Sequence, residues 1–138
     1  LVDAAASSLG IEYPDVEVLG LTYFRLAEPF IDELRDSEVG GIGHGGEFET
    51  SLMSYLRPEL VRSDETRATY RDEPYTHASR EMFDSGPLSV SRPFSDYSDT
   101  GELGDPDLAS PEKGEELFER LIAELKGILG EIHRESRS

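Results

Sequence analysis

The 138-residue sequence contains no cysteine and no tryptophan, and it has no long apolar run. Without cysteine, disulfide bonds, thiolate metal ligands and a cysteine nucleophile are excluded. The apolar stretches are shorter than a membrane-spanning helix requires, and no basic segment precedes an apolar one as in a signal peptide. We therefore expect a cytoplasmic protein that does not bind membranes.

Basic residues are also scarce. The chain has 13 Lys and Arg residues against 30 Asp and Glu residues, a net charge of −17, and its only lysines are Lys113 and Lys126. This charge argues against partners that are themselves polyanions, namely nucleic acids and anionic lipid. Acids dispersed along the chain, with few lysines and no cysteine, indicate adaptation to high salt, where ions screen the repulsion between carboxylates. An ordinary acidic protein is the alternative.

Hydrophobic periodicity in the first half predicts helices and one strand within a single domain. Residues 1–9 have helical spacing, and Gly10 is expected to end that helix as a C-cap. Residues 16–24 are mostly apolar and predict a strand buried on both faces. Residues 26–34 predict a short amphipathic helix, and residues 47–56 predict another.

The second half begins with a long polar segment, residues 62–100, which we call the polar excursion. It is expected to cross the surface, with a short helix at 78–83 and a short strand at 88–90, and it can serve as a lid. Ser110 then predicts an N-cap before the last helix. The apolar residues of that helix repeat at helical spacing and should lie against a sheet or another subunit: Leu117, Phe118, Leu121, Ile122, Leu125, Ile128, Leu129 and Ile132.

A glycine-rich turn at residues 40–46 carries the densest chemistry of the chain. His44 precedes Gly45 and Gly46, and Glu49 follows within the first turn of the predicted helix. Imidazole and carboxylate groups bind divalent metals and transfer protons near neutral pH, and the glycines allow the backbone to fold back. One imidazole and one carboxylate are an incomplete metal site. A packed loop histidine beside a glutamate that faces the helix dipole explains the pattern equally well.

A dinucleotide site is a less suitable interpretation of the same turn. Gly41, Gly43 and Gly46 satisfy the G-x-G-x-x-G pattern. However, the turn follows a polar segment rather than a buried strand, and Glu47 and Glu49 would repel a pyrophosphate at the helix start.

Three segments of the chain, in order, resemble the creatininase (creatinine amidohydrolase) family. The first is LTYF at residues 21–24, which is similar to the end of a strand in that family. The second is HGGEFETSLM at residues 44–53, which continues into LRPELV at 56–61. The third is GDPDLASPEKG at residues 104–114, which leads into the last helix.

The resemblance implies a three-layer α/β/α fold and a metal-dependent hydrolase, often hexameric, that cleaves the C–N bond of a small-molecule amide. His44 then corresponds to the proton-transferring histidine, and Glu49 to an acid at a centre of divalent ions such as Zn, Mn or Fe. Phe24, Gly45 and Gly46 correspond to the substrate pocket. We expect a cyclic amide or formamide as substrate; the peptidase-like branch of the family and a non-catalytic acidic oligomerisation module are the alternatives.

The sequence also departs from the family pattern. Members that act on creatinine have a tryptophan shortly before the catalytic histidine, where this chain has Gly40, and Phe24 stands at the second aromatic position. The Glu-x-His pair, the bridging Asp and the Asn-Gly-His segment that supply most metal ligands in the family have no counterpart. We therefore expect residues 1–138 to be the C-terminal part of a single creatininase-like domain that is inactive alone.

Overall fold

The computed structural model describes residues 2–84 and 86–136, and these residues form helices joined by long irregular segments. In chain order the α-helices are α1 (Val2–Glu12), α2 (Tyr23–Ala27), α3 (Ile31–Leu34), α4 (Glu47–Leu56) and α5 (Pro111–Glu135). Three short 3-10 helices cover Pro58–Leu60, Phe94–Asp96 and Pro106–Leu108. None of the helices in the described residues is both long enough and apolar enough to cross a bilayer.

The core lies where α4 and α5 pack together and where α2 and α3 cover them. Its buried side chains are Ala27, Phe30, Ile31, Ile42, Phe48, Leu52, Leu117 and Leu121. Helices α4 and α5 approach closely at Gly114, where an added Cβ would lie 2.0 Å from the carbonyl oxygen of Ser51. A side chain at this position would therefore push α5 away from α4.

The bounds of the last two helices agree with the sequence prediction. α4 spans Glu47–Leu56, and α5 begins at Pro111 after Ser110, whose side chain accepts a hydrogen bond from the Lys113 amide at 3.1 Å. The stripe on α5 is only partly covered, because Leu117 and Leu121 are buried whereas Leu129 is 54% exposed.

The predicted strand at 16–24 is wrong. Residues 13–22 form a turn followed by extended chain without ladder partners, and the chain becomes helical at Tyr23. A strand needs a neighbour for its backbone hydrogen bonds. Within residues 2–84 and 86–136 there are only two isolated bridges, Thr69 with Gly104 and Ala78 with Leu88. The described residues therefore contain no sheet, and an α/β layering is not formed by them.

Several smaller predictions also need correction. The helix expected at 26–34 is divided into α2 and α3 because Pro29 lies between them and cannot donate a helical hydrogen bond. α1 continues through Gly10 to Glu12, and Gly10 is not among the glycines with positive φ, so it does not act as a C-cap. The helix expected at 78–83 is a series of bends, and the strand at 88–90 is reduced to the single bridge at Leu88.

Candidate functional site

The glycine turn is a closed backbone structure in front of α4. The amide of Glu47 donates to the carbonyl oxygen of Gly41 at 3.1 Å, so the start of the helix folds back on the start of the turn. Gly45 has a φ of +61°, a conformation that favours glycine. An added Cβ at Gly46 would lie 2.4 Å from the Gly41 oxygen, so only glycine fits there. The turn therefore depends on the residues that made it conspicuous in the sequence.

The carboxylate of Glu49 reaches back from α4 to the turn. Its Oε2 accepts a hydrogen bond from the Gly45 amide at 2.7 Å. This contact holds the carboxylate beside the peptide that joins His44 to Gly45. It also satisfies one of the amides that lie unpaired before a helix, in a field that favours negative charge.

His44 is exposed and is fixed mainly through its backbone. Its carbonyl oxygen accepts from the Leu103 amide at 2.7 Å. Its ring lies edge-on to the ring of Phe94, with 5.7 Å between the centroids. The polar excursion thus contributes an aromatic side chain next to the imidazole.

An open cavity of about 900 Å³ lies beside the turn, between α4 and α5. Gly45 and Glu49 line it, whereas Phe24, His44 and Gly46 are not among its lining residues. Phe24 instead packs against Phe48 with the two rings tilted, 5.4 Å between their centroids. Of the five site residues expected from the sequence, the structure therefore brings Gly45 and Glu49 to one cavity, and the other three do not line it. Its apolar wall consists of Leu26, Leu52, Met53, Leu56, Leu60, Val61, Phe118, Leu121, Ile122 and Leu125.

Among the further polar residues that line this cavity, Tyr23 and Glu102 lie near Glu49 and the turn, and sequence reasoning did not single them out. Burial, and then the negative charge of Glu49, raise the pKa of Tyr23 to about 12. The phenol therefore stays protonated and can donate a hydrogen bond towards the cavity. Glu102 lies close to Gly45, and a hydrogen bond from the Thr100 side chain lowers the pKa of its carboxyl group. The only sequence signal for Tyr23 was its place next to Phe24.

A buried ion pair supports the turn from the side of α5. The Glu47 carboxylate is 1% exposed and pairs with the ammonium group of Lys113, which also bonds Asp36 Oδ2 at 2.8 Å. Glu47 accepts in addition from the amides of Asp36 at 2.8 Å and Ser37 at 3.0 Å. Burial raises the pKa of Glu47, but the bonds from Lys113 and the amides outweigh it, so the pKa lies below its ordinary value.

The residues described in the structure do not hold a metal ion by themselves. Residues 2–84 and 86–136 contain no group of three or more His, Cys, Asp or Glu side chains that could bind one. A catalytic zinc usually has three protein ligands. Glu49 can contribute one ligand, and one lone pair of its carboxylate is taken by the Gly45 amide.

Comparison with solved structures finds similar folds. One is the crystal structure of a putative creatinine amidohydrolase from Bacteroides fragilis, with a TM-score of 0.71 and 24% identity, which covers 93% of this chain and 47% of that one. A Zn-Zn type creatininase mutant has a TM-score of 0.61 and 27% identity over 94% of this chain and 48% of its own. The same mutant complexed with creatine has a TM-score of 0.60 and 27% identity, covering 94% and 49%.

The sequence itself matches the model of the Creatininase family, described as creatinine amidohydrolase, over residues 1–129. The chain therefore belongs to the creatininase family, as its three motifs indicated. It spans about half the length of the solved structures that it matches, 47% to 49% of each. Comparison with curated proteins gives no match.

Proposed function

We propose that this chain provides part of the hydrolytic centre of a creatininase-type amidohydrolase that cleaves the C–N bond of a cyclic amide or formamide. His44 is the proton-transferring residue, and Glu49 is the acid that faces the reacting centre. The single observation that carries the proposal is the bond between Glu49 Oε2 and the Gly45 amide, at 2.7 Å. It keeps a carboxylate that lines the cavity next to the peptide that joins His44 to Gly45.

The proposed chemistry at His44 is a proton transfer. An imidazole exchanges a proton near neutral pH, and cleavage of an amide needs a proton on the departing nitrogen. The ring of His44 is exposed, so a substrate can reach it. The residue is held by the backbone bond to Leu103 and by the contact of its ring with Phe94. Tyr23 can donate a further hydrogen bond from inside the cavity, because its phenol remains protonated.

Divalent metal ions, Zn, Mn or Fe, belong to the proposal on the strength of the family and of the Zn-Zn type creatininase to which the chain is similar. The described residues bring together no group of three donors, so any such ion needs at least one ligand from beyond these residues. Gly45, which lines the cavity, belongs to the proposed substrate pocket and allows a close backbone approach. Phe24 and Gly46 do not line the cavity, so their proposed part is to support the pocket rather than to contact the substrate.

The proposal extends to the assembly and its setting. We propose a three-layer α/β/α domain in which this chain is the C-terminal part, a homo-oligomer that is a hexamer by resemblance, and a cytoplasmic, salt-rich environment. The net charge of −17 supports the last point, because such a chain is relieved of self-repulsion by salt. A melting temperature that does not rise with added KCl contradicts the proposed adaptation to a salt-rich environment.

The test is the substitution His44→Ala in the native full-length protein. We expect kcat for formamide and cyclic-amide substrates to fall by at least about 100-fold while the bound metal content stays unchanged, since acid–base groups typically contribute that much. His77→Ala is the matched control, because His77 is also exposed and belongs to the polar excursion. Unchanged turnover of the His44 variant rules out its proposed role. A substrate panel that includes short peptides distinguishes the peptidase-like alternative.

A non-catalytic acidic oligomerisation module is the second candidate, and one observation favours it. The cavity wall between α4 and α5 is a continuous apolar surface that includes Met53, Leu56 and Leu125. Exposed apolar surfaces of this kind mark protein–protein contacts as well as ligand grooves. Sedimentation of Leu125→Glu, together with an activity assay of the parent protein, decides between the two candidates. The module is favoured if the variant no longer forms the oligomer and the parent protein shows no hydrolase activity.

A further inference from the structure

The polar excursion contacts the glycine turn through a second buried carboxylate, that of Glu81. Its side chain is 2% exposed and pairs with Arg35, which lies just before the turn. Two parallel bonds join them, from Nη1 to Oε1 at 2.7 Å and from Nη2 to Oε2 at 3.0 Å. Such forked pairs define an orientation as well as a distance.

The same carboxylate also binds the backbone of the turn. Oε2 accepts from the Gly40 amide at 2.6 Å and, more weakly, from the Ile42 amide at 3.4 Å. The next residue of the excursion, Met82, donates its amide to the carbonyl oxygen of Ile42 at 3.3 Å. Glu81 therefore lies between an arginine and the amides that lead directly into His44.

The other side of the turn is held by a different segment. The Leu103 amide bonds the His44 carbonyl at 2.7 Å, and the Asp105 amide bonds the Gly41 carbonyl at 2.9 Å. These contacts fix the carbonyl groups of the turn. The orientation of its first peptides depends on Glu81, which accepts from their amides.

We propose that Glu81 is a positioning residue of the hydrolytic centre: it sets the path of residues 40–42 and, through them, the placement of His44 relative to Glu49. This inference rests on the proposed function. It makes the polar excursion a structural part of the site, since the excursion supplies the acceptor that the turn lacks. Because the side chain of Glu81 is buried against Arg35 and the turn, it does not touch the substrate.

The first experiment needs no activity. In Glu81→Gln we expect amide hydrogen exchange at Gly40 to accelerate about tenfold or more, because the charged acceptor is replaced by a neutral amide whose single oxygen cannot satisfy both Arg35 and Gly40 as well. Glu73→Gln is the matched control, because Glu73 is also buried in the excursion and pairs with Arg71. Its other bonds, with Arg92 and the Tyr75 amide, lie outside the turn. Equal exchange rates at Gly40 in the two variants overturn the inference.

Glu81→Asp provides a second variant should the glutamine variant fail to fold. It keeps the charge but is one methylene shorter, so it cannot span Arg35 and the Gly40 amide together. We expect a smaller acceleration at Gly40 than in Glu81→Gln. No change at Gly40 in this variant contradicts the inference as well.

The second experiment is kinetic and uses the native full-length protein. Glu81→Gln should lower kcat by about 10- to 100-fold with little change in KM, because a small misplacement of a reacting group has effects of that size. If His44→Ala abolishes turnover but Glu81→Gln leaves kcat unchanged, this inference fails and the proposed function stands. If His44→Ala has no effect on turnover, the proposed function fails. The bond between Glu81 and the Gly40 amide, which the exchange experiment measures, then has no role in catalysis.

Discussion

Two regions of this molecule contain similar apolar residues but differ in how they use them. In the block formed by the glycine turn, α4 and α5, Phe48 and Leu117 are each 1% exposed. In the N-terminal segment, residues 2–22, α1 has no buried residue, and Ile11 and Leu19 are 80% and 58% exposed. Apolar composition alone therefore does not decide which part of a chain enters the core.

What distinguishes the block is complementary geometry supplied from far along the chain. Gly114 allows α5 to approach Ser51, and Ser51 in turn bonds the Ser110 amide at 3.2 Å. Lys113 neutralises Glu47 within the same contact. The N-terminal segment has apolar side chains but no surface shaped to receive them within the described residues, which is why its residues remain at the surface.

Truncation of Phe48 should give the largest difference between the two regions. The Phe48 ring packs against Phe24 and Phe83, so Phe48→Ala should lower the free energy of unfolding by about 3–5 kcal/mol. Leu19→Ala in the N-terminal segment should change it by less than about 0.5 kcal/mol. Urea titration measures both. Comparable losses would mean that residue 19 is buried in solution and would remove the contrast.

Loss of the charge on Glu47 should have the next largest effect. Glu47→Gln leaves Lys113 with Asp36 as its remaining ionic partner, and we expect a loss of about 3 kcal/mol, at the lower end of the range for a broken buried pair. The exposed Glu17 is the control, and Glu17→Gln should be neutral within about 0.5 kcal/mol. A neutral result for Glu47→Gln would show that the pair contributes nothing to holding the block together.

Removal of the cap of α5 should have a smaller effect. The Ser110 hydroxyl accepts from the Lys113 amide at 3.1 Å, so Ser110→Ala should cost about 1 kcal/mol. Ser7→Ala, on the exposed face of α1, should cost less, since Ser7 is within a helix that contributes nothing to the core. Thermal unfolding of the two variants would compare them directly, and the prediction fails if their order is reversed.

The pH dependence of stability should give the finest contrast. Burial raises the pKa of Glu47, yet the bonds from Lys113 leave it below its ordinary value of 4.5. A carboxyl group with a lowered pKa in the folded state stabilises that state above the unfolded pKa and loses this contribution as pH falls through the folded pKa. The wild type should therefore lose more stability than Glu47→Gln below about pH 4.5, whereas Glu17→Gln should follow the wild type. Parallel curves for wild type and Glu47→Gln would contradict the assignment.

The sequence predicted the local elements of the fold and missed those that depend on distant partners. α4 and α5 carry their own signals, a glycine turn before Glu47 and the Ser110–Pro111 cap, so their bounds could be predicted. The apolar run at 16–24 resembled a strand, but strand formation requires a second strand, and none of the described residues provides one. Pattern alone cannot supply that information.

The same division applies to the candidate site. The nearness of Glu49 to residue 44 follows from the glycines between them, which are local, and the structure contains a bond from Gly45 to Glu49. The roles of Glu47 and Glu81 could not be predicted, because Lys113 and Arg35, with which they pair, are 66 and 46 residues away in sequence. Nor did the sequence indicate that the ring of His44 would lie on Phe94.

The pairing of Glu47 with Lys113 has a consequence for the order of events during synthesis. On the ribosome, Glu47 is made 66 residues before the lysine that neutralises it. Until Lys113 emerges, docking of α4 would enclose an uncompensated carboxylate, which is strongly unfavourable. The nascent chain should therefore keep the glycine turn open to solvent until the last helix appears. A compact intermediate that forms earlier should not contain the folded turn.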